Sequence, residues 1–274
     1  YANYNGFASA ASVDVVPVIS DFADQYELPP IEKVIEKINS KTKAILLCNP
    51  SNPTGYVYNK KEIEMLGKLV IEKDIFLIVD EVYREFIHNG DPHYSVLCDS
   101  RWSEHSVMID SVSKRYSMCG ARVGCMVSRN KKLLKQALKY AQLRLSPPAY
   151  AMIASEAALD APEKYLEEVA EEYRNRRNVM IQALEKIEGI DVSHPMGAFY
   201  CMVKLPVENA EEFSKFLLTD FSDQGQTLML APGQGFYSTP GLGKNEVRIA
   251  FVLETEKLIR AAQILEKALE VYNQ

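Results

Sequence analysis

The sequence is short of most features that mark a specialised class. Its 274 residues hold one tryptophan, four histidines and five cysteines. The histidines are scattered, so none is assigned a metal or a catalytic role. The cysteines, at positions 48, 98, 119, 125 and 201, are odd in number and follow no metal-ligand spacing. That excludes a disulfide framework and suits reduced thiols in a cytoplasmic protein. No apolar run reaches membrane-spanning length, and no signal peptide opens the sequence. Basic clusters are absent and the formal net charge is −6, so neither nucleic acid nor membrane is an expected partner. There is no internal repeat and no low-complexity tract. Tyr1-Ala2-Asn3-Tyr4-Asn5-Gly6 has no initiator methionine and no capping signal, and reads as a stretch from inside a longer chain.

What is present is an ordinary globular composition, 47% hydrophobic and 25% charged, long enough for one or two domains. Continuous apolar runs at 44–48, 75–79, 107–109 and 123–127 predict buried strands. Alternation predicts a further strand from Ser12 to Ile19. Between them, Ile31, Val34, Ile35 and Ile38, then Ile63, Leu66, Leu69 and Val70, recur at helical spacing. Lys131 to Leu145 predicts another helix, and the charged stretch from Pro162 to about Ile187 one long helix. Strands at 198–203, 228–230 and 247–252 follow, with helices at 210–221 and up to Tyr272. Apolar strands alternating with amphipathic helices imply a largely parallel α/β sheet, whose ligands collect beyond the carboxyl ends of the strands. The predicted boundary falls at 160, with residues 1–160 as a large domain and 161–274 as a small C-terminal one.

Just past those strand ends lie Asn52, Asp80, Ser111 and Lys114. The stretch Ser111-Val112-Ser113-Lys114, with Arg122 and glycines following, places one lysine among hydroxyls and near a fixed cation. A lysine forms a Schiff base with an aldehyde, while Ser111 and Arg122 offer a donor and a positive charge to a phosphate. An aldehyde and a phosphate on one ligand describe pyridoxal 5′-phosphate. Taken alone, the segment also has a plainer reading, a strand followed by a basic loop.

Four motifs occur in order: Asn-Pro-Ser-Asn-Pro-Thr-Gly at 49–55, Asp-Glu-Val-Tyr at 80–83, Ser-Val-Ser-Lys leading to Arg122-Val123-Gly124, and Val-Arg-Ile-Ala-Phe at 247–251. Together they resemble the class I/II aminotransferases, the aspartate-aminotransferase-like group of fold-type I pyridoxal-phosphate enzymes. The resemblance implies an α/β/α sandwich with a mostly parallel sheet, lacking the N-terminal portion of the family, plus a smaller C-terminal α/β domain. It implies a homodimer and transfer of an amino group between an amino acid and a 2-oxo acid, possibly of the aspartate type.

Under that resemblance Lys114 holds the cofactor and then moves the substrate proton, which requires a partly neutral amine. Asp80 pairs with the pyridine nitrogen so that the ring becomes an electron sink; its plainer role is a cap after a strand. Tyr83, three residues on, reaches the ring oxygen, or else is a core tyrosine. Asn52 donates to the same oxygen from the other side, and Pro50 and Pro53 make cis bonds possible nearby. Tyr1 takes the position of the aromatic that stacks on the ring. Arg248 sits in an apolar strand, where a guanidinium is costly unless paired, and a substrate α-carboxylate would pair it. For the second carboxylate of a dicarboxylic substrate, Arg115 and Arg144 are the candidates. The same residues serve a carbon–sulfur β-lyase equally well, and a transcription regulator's sensor domain can carry the same fold.

Overall fold

A computed structural model describes residues 1–274. In chain order the elements are α1 (Asn3–Ala10), α2 (Ile31–Ile35), β1 (Ala44–Cys48), α3 (Lys60–Lys73), β2 (Phe76–Asp80), β3 (Ser106–Ser111), α4 (Val112–Arg115) and β4 (Gly124–Val127). They continue with α5 (Lys131–Arg144), α6 (Ala149–Ala158), α7 (Glu163–Leu184), β5 (Asp191–Val192), β6 (Tyr200–Lys204), α8 (Ala210–Thr219), β7 (Ala231–Pro232), β8 (Glu246–Ala250) and α9 (Thr255–Tyr272). The chain forms two compact units. One comprises residues 30–51 and 57–170, the other residues 1–29, 52–56 and 171–274.

The unit of 30–51 and 57–170 is built on a sheet of order β1-β2-β3-β4. The first three strands are parallel and β4 returns antiparallel at the edge. Leu77 and Val79, on one face of β2, are fully buried, while Phe76, Ile78 and Asp80 on the other are partly buried. The register sets Cys48 opposite Asp80 and Asp80 opposite Ile109, so the carboxyl ends of the parallel strands lie side by side. Helix α3 starts at a capping box, with Asn59 accepting from Lys61 and Glu62 and the Glu62 carboxylate accepting from the Asn59 N–H. Its apolar face (Ile63, Leu66, Val70) is buried, and Gly67 lies beneath Trp102, whose indole N–H donates to the Val96 carbonyl at 2.9 Å.

The other unit carries an antiparallel sheet of order β5-β6-β8-β7. Cys201, Val203, Val247 and Phe251 are fully buried with Phe213 and Leu217 of α8 and Ala268 of α9. Aromatic edges join the two helices, with the Phe213 and Tyr272 rings 5.1 Å apart. Pro232, lacking an N–H, is accommodated because β7 is an edge strand.

Two predicted strands are corrected. Residues 12–19 form no strand; Val13 and Val16 are more than half exposed, because no neighbouring strand supplies ladder hydrogen bonds. The strand expected at 228–230 lies at Ala231–Pro232 instead, and Met229 is exposed. Helices α1 and α6 were not anticipated. Both are rich in small residues with little periodic contrast, and α1 buries none of its side chains.

Candidate active site

In the unit of 30–51 and 57–170, the strand ends position the candidate residues. Asp80 closes β2, its Oδ1 accepting from the Val82 N–H at 3.3 Å. Tyr83 is buried one turn further on, and the Lys114 amine lies 5.7 Å from its ring centroid. Lys114 belongs to α4, a single turn that follows β3 directly. Ser111 caps that turn, accepting from the Ser113 N–H at 3.3 Å. Arg122 adopts a left-handed conformation at φ 58°; it is exposed and donates to the Cys119 carbonyl at 2.9 Å. The Asn49 amide is buried between strand ends. The Asn49 backbone N–H donates to the Asp80 carbonyl and its side-chain Oδ1 accepts from the Tyr58 backbone N–H, whereas its Nδ2 has no partner.

In the other unit, Asn52 and Arg248 meet directly. The Arg248 Nη1 donates to the Asn52 Oδ1 at 2.8 Å. Its guanidinium lies over two aromatic rings, 4.3 Å from the Tyr200 centroid and 4.9 Å from that of Phe236. Such stacking leaves the in-plane donors of an arginine open to a planar anion. The buried Nε has no partner. Gly55 makes this arrangement possible: it sits at φ +71°, and a Cβ there would run into Pro195 and the Tyr200 carbonyl. The Asn49–Pro50 and Asn52–Pro53 bonds are both cis. Tyr1 is exposed at the start of α1, its ring edge-on to Tyr4 at 5.4 Å and its hydroxyl accepting from Asn3.

The structure corrects one candidate for the second carboxylate. Arg115 is not a surface arginine; it is ion-paired with Asp110 at 2.8 Å and with Glu85 at 2.9 Å. Two nearby opposite charges already occupy it. Arg144 ends α5 in an exposed position. Sequence reasoning missed Tyr200 and Phe236, since nothing in a linear pattern ties either to Arg248. It also missed Glu246, a buried carboxylate two residues before Arg248. Glu246 Oε2 accepts from the hydroxyls of Tyr237 at 2.7 Å and Tyr26 at 3.1 Å. Burial, reinforced by these neighbours, pushes both phenols well above their ordinary value.

Fold and strand-end residues together define a class, and the comparisons agree. The family model for aminotransferase class I and II matches residues 1–265, and the chain belongs to that family. It is similar to an aspartate aminotransferase of Pyrococcus horikoshii, 30% identical over 247 residues that cover 89% of this chain and 61% of that protein. A second aspartate aminotransferase, from Sulfurisphaera tokodaii, is 33% identical over 234 residues, covering 83% of this chain and 56% of its own length. Among solved structures, the aspartate aminotransferase of Thermotoga maritima superimposes with a TM-score of 0.87 at 27% identity, covering 98% of this chain and 68% of that one. An aromatic aminotransferase of Pyrococcus horikoshii gives 0.82 at 27% identity, covering 94% and 68%. The chain thus spans 61% and 56% of the two curated relatives.

Proposed function

We propose that the protein takes part in amino-group transfer between an amino acid and a 2-oxo acid, using pyridoxal 5′-phosphate. The donor set supports a fit to that cofactor. An amine (Lys114), a carboxylate (Asp80) and a phenol (Tyr83) belong to adjacent strand ends, while Ser111 and Arg122 supply a hydroxyl and a cation for phosphate. When bound, the cofactor supplies an electron sink for the charge left when the substrate loses its α-proton. Asp80 would hold the pyridine nitrogen protonated, and Tyr83 and Asn52 would donate to the ring oxygen. The Lys114 amine would anchor the aldehyde and then hold and return the α-proton. Tyr1 is proposed as the stacking aromatic.

The observation that carries the reading is Arg248. Its Nη1 is anchored on Asn52 while its Nε is unpartnered, which leaves the Nε/Nη2 edge for an α-carboxylate in bidentate fashion. The names of the curated relatives favour an aspartate-type donor. With Arg115 engaged, the second carboxylate would need another cation. Homodimeric assembly and a cytoplasmic setting belong to the same proposal. The exposed apolar side chains of α5 and α6 support the first, and the five unpaired cysteines support the second.

Kinetics on the protein with Arg248→Gln test this reading. We expect KM for the amino donor to rise and kcat/KM to fall by about 100-fold or more, as for a lost charged hydrogen-bond pair. An unchanged KM would remove Arg248 from the carboxylate role. Pyruvate and ammonia formed without a 2-oxo acid acceptor would identify a β-lyase instead.

A further inference from the structure

Arg115 follows Lys114 directly and reaches back to two other segments. Its Nη2 donates to Asp110 Oδ2 at 2.8 Å, and its Nε lies 2.9 Å from Glu85 Oε1. Arg84 completes the group, 3.5 Å from Asp110 and 3.3 Å from Glu85. The side chains of Arg115 and Asp110 are only 11% and 8% exposed, so neither charge would be tolerable alone. Burial works against the charge on Arg115, but Asp110 and Glu85 outweigh it and hold the guanidinium firmly protonated. The cluster ties together the turn that carries Tyr83, the end of β3, and the turn that carries Lys114.

Helix α4 is a single turn with no buried residue, too short to fix the direction of a long side chain by its own packing. We infer that Arg84, Glu85, Asp110 and Arg115 form a charge-neutral clasp that holds Lys114 over Tyr83, with Arg115 as its positioning residue. The inference rests on Lys114 being the cofactor lysine. Two cations and two anions cancel, so the clasp fixes the lysine without imposing a net charge beside its amine. Tyr83 lies beneath that amine, Asp80 ends the neighbouring strand β2, and on its own segment Tyr116 packs its ring against the Arg115 guanidinium of the clasp.

Neutrality makes the clasp testable. The titration midpoint of the Lys114 amine is read in the cofactor-free chain by competitive labelling with acetic anhydride and mass spectrometry. Arg115→Met leaves a surplus negative charge and raises the midpoint by roughly half to one unit, while Asp110→Asn leaves a surplus positive charge and lowers it by a similar amount. The double variant returns toward the parent value, and Arg115→Lys stays near it. Shifts of one sign in both single variants, or none, overturn the clasp. Should Arg115→Met fail to fold, Arg84→Met and Glu85→Gln remove one cation and one anion from the same cluster and carry the same pair of outcomes. Added pyridoxal phosphate, trapped with borohydride, is read separately on the same chain. Opposite shifts without an adduct on Lys114 overturn the cofactor reading alone; an adduct with shifts of one sign overturns the clasp alone.

Discussion

Glu246 shows how a buried carboxylate is kept without a cation: two phenols donate to one of its oxygens, so the acid is satisfied by neutral groups. Tyr26 and Tyr237 are therefore held protonated well above the ordinary value of 10.0. A raised folded-state pKa favours the protonated form in the fold. Its stabilisation is fully present below the unfolded value and is lost as pH rises above it. We expect urea stability to fall above about pH 10, and the double variant Tyr26→Phe/Tyr237→Phe to be less stable at neutral pH but to show a smaller alkaline fall. An equal alkaline fall in both proteins would remove these phenols from the account. At this scale the sequence exposes residues whose chemistry is local. Lys114, Asp80 and Asn52 stand just past apolar runs and can be found by position. Tyr200, Phe236 and Asp110 act through neighbours distant in the chain or across a strand, and no spacing rule reaches them.

Helix α3 is the element in which local and tertiary signals agree most fully. Ile63, Leu66, Leu69 and Val70 mark its buried face in the sequence, and Asn59 and Glu62 close its capping box. Removing the cap oxygen with Asn59→Ala should cost about 1 kcal/mol in chemical denaturation. Gly67→Ala improves helix propensity, yet a Cβ there would sit 2.5 Å from the Trp102 ring, so we expect a net loss of roughly 1–3 kcal/mol. A stabilised Gly67→Ala variant would show that Trp102 yields at no cost. The contrasting element is the segment 12–19. Its alternating valines satisfy a strand pattern, but a strand also needs a partner, which alternation does not report. Likewise Arg115 reads in the sequence as a cation available to a second carboxylate, and only the fold brings Asp110 and Glu85 to it.

At the scale of the whole molecule, a largely parallel sheet and an antiparallel sheet occupy two units, and the family match extends over 1–265. The predicted boundary at 160 and the observed grouping do not coincide: residues 161–170 group with 30–51 and 57–160, while residues 1–29 and 52–56 group with 171–274. Contacts between distant segments decide that, and composition does not shift along the chain to announce it. Leu143, Leu145, Tyr150 and Ile153 stand exposed on and between α5 and α6. In the proposed homodimer these apolar side chains would be the surface that the partner covers. Leu143→Ser with Tyr150→Ser should reduce concentration-dependent association in sedimentation velocity, and unchanged association would place the contact elsewhere. The central claim, that Lys114 is the cofactor lysine, is tested most directly by adding pyridoxal phosphate, reducing with borohydride and locating the adduct by peptide mass spectrometry. The account predicts a visible absorbance band retained after dialysis and the added mass on Lys114. A retained band with the mass on another lysine would contradict it.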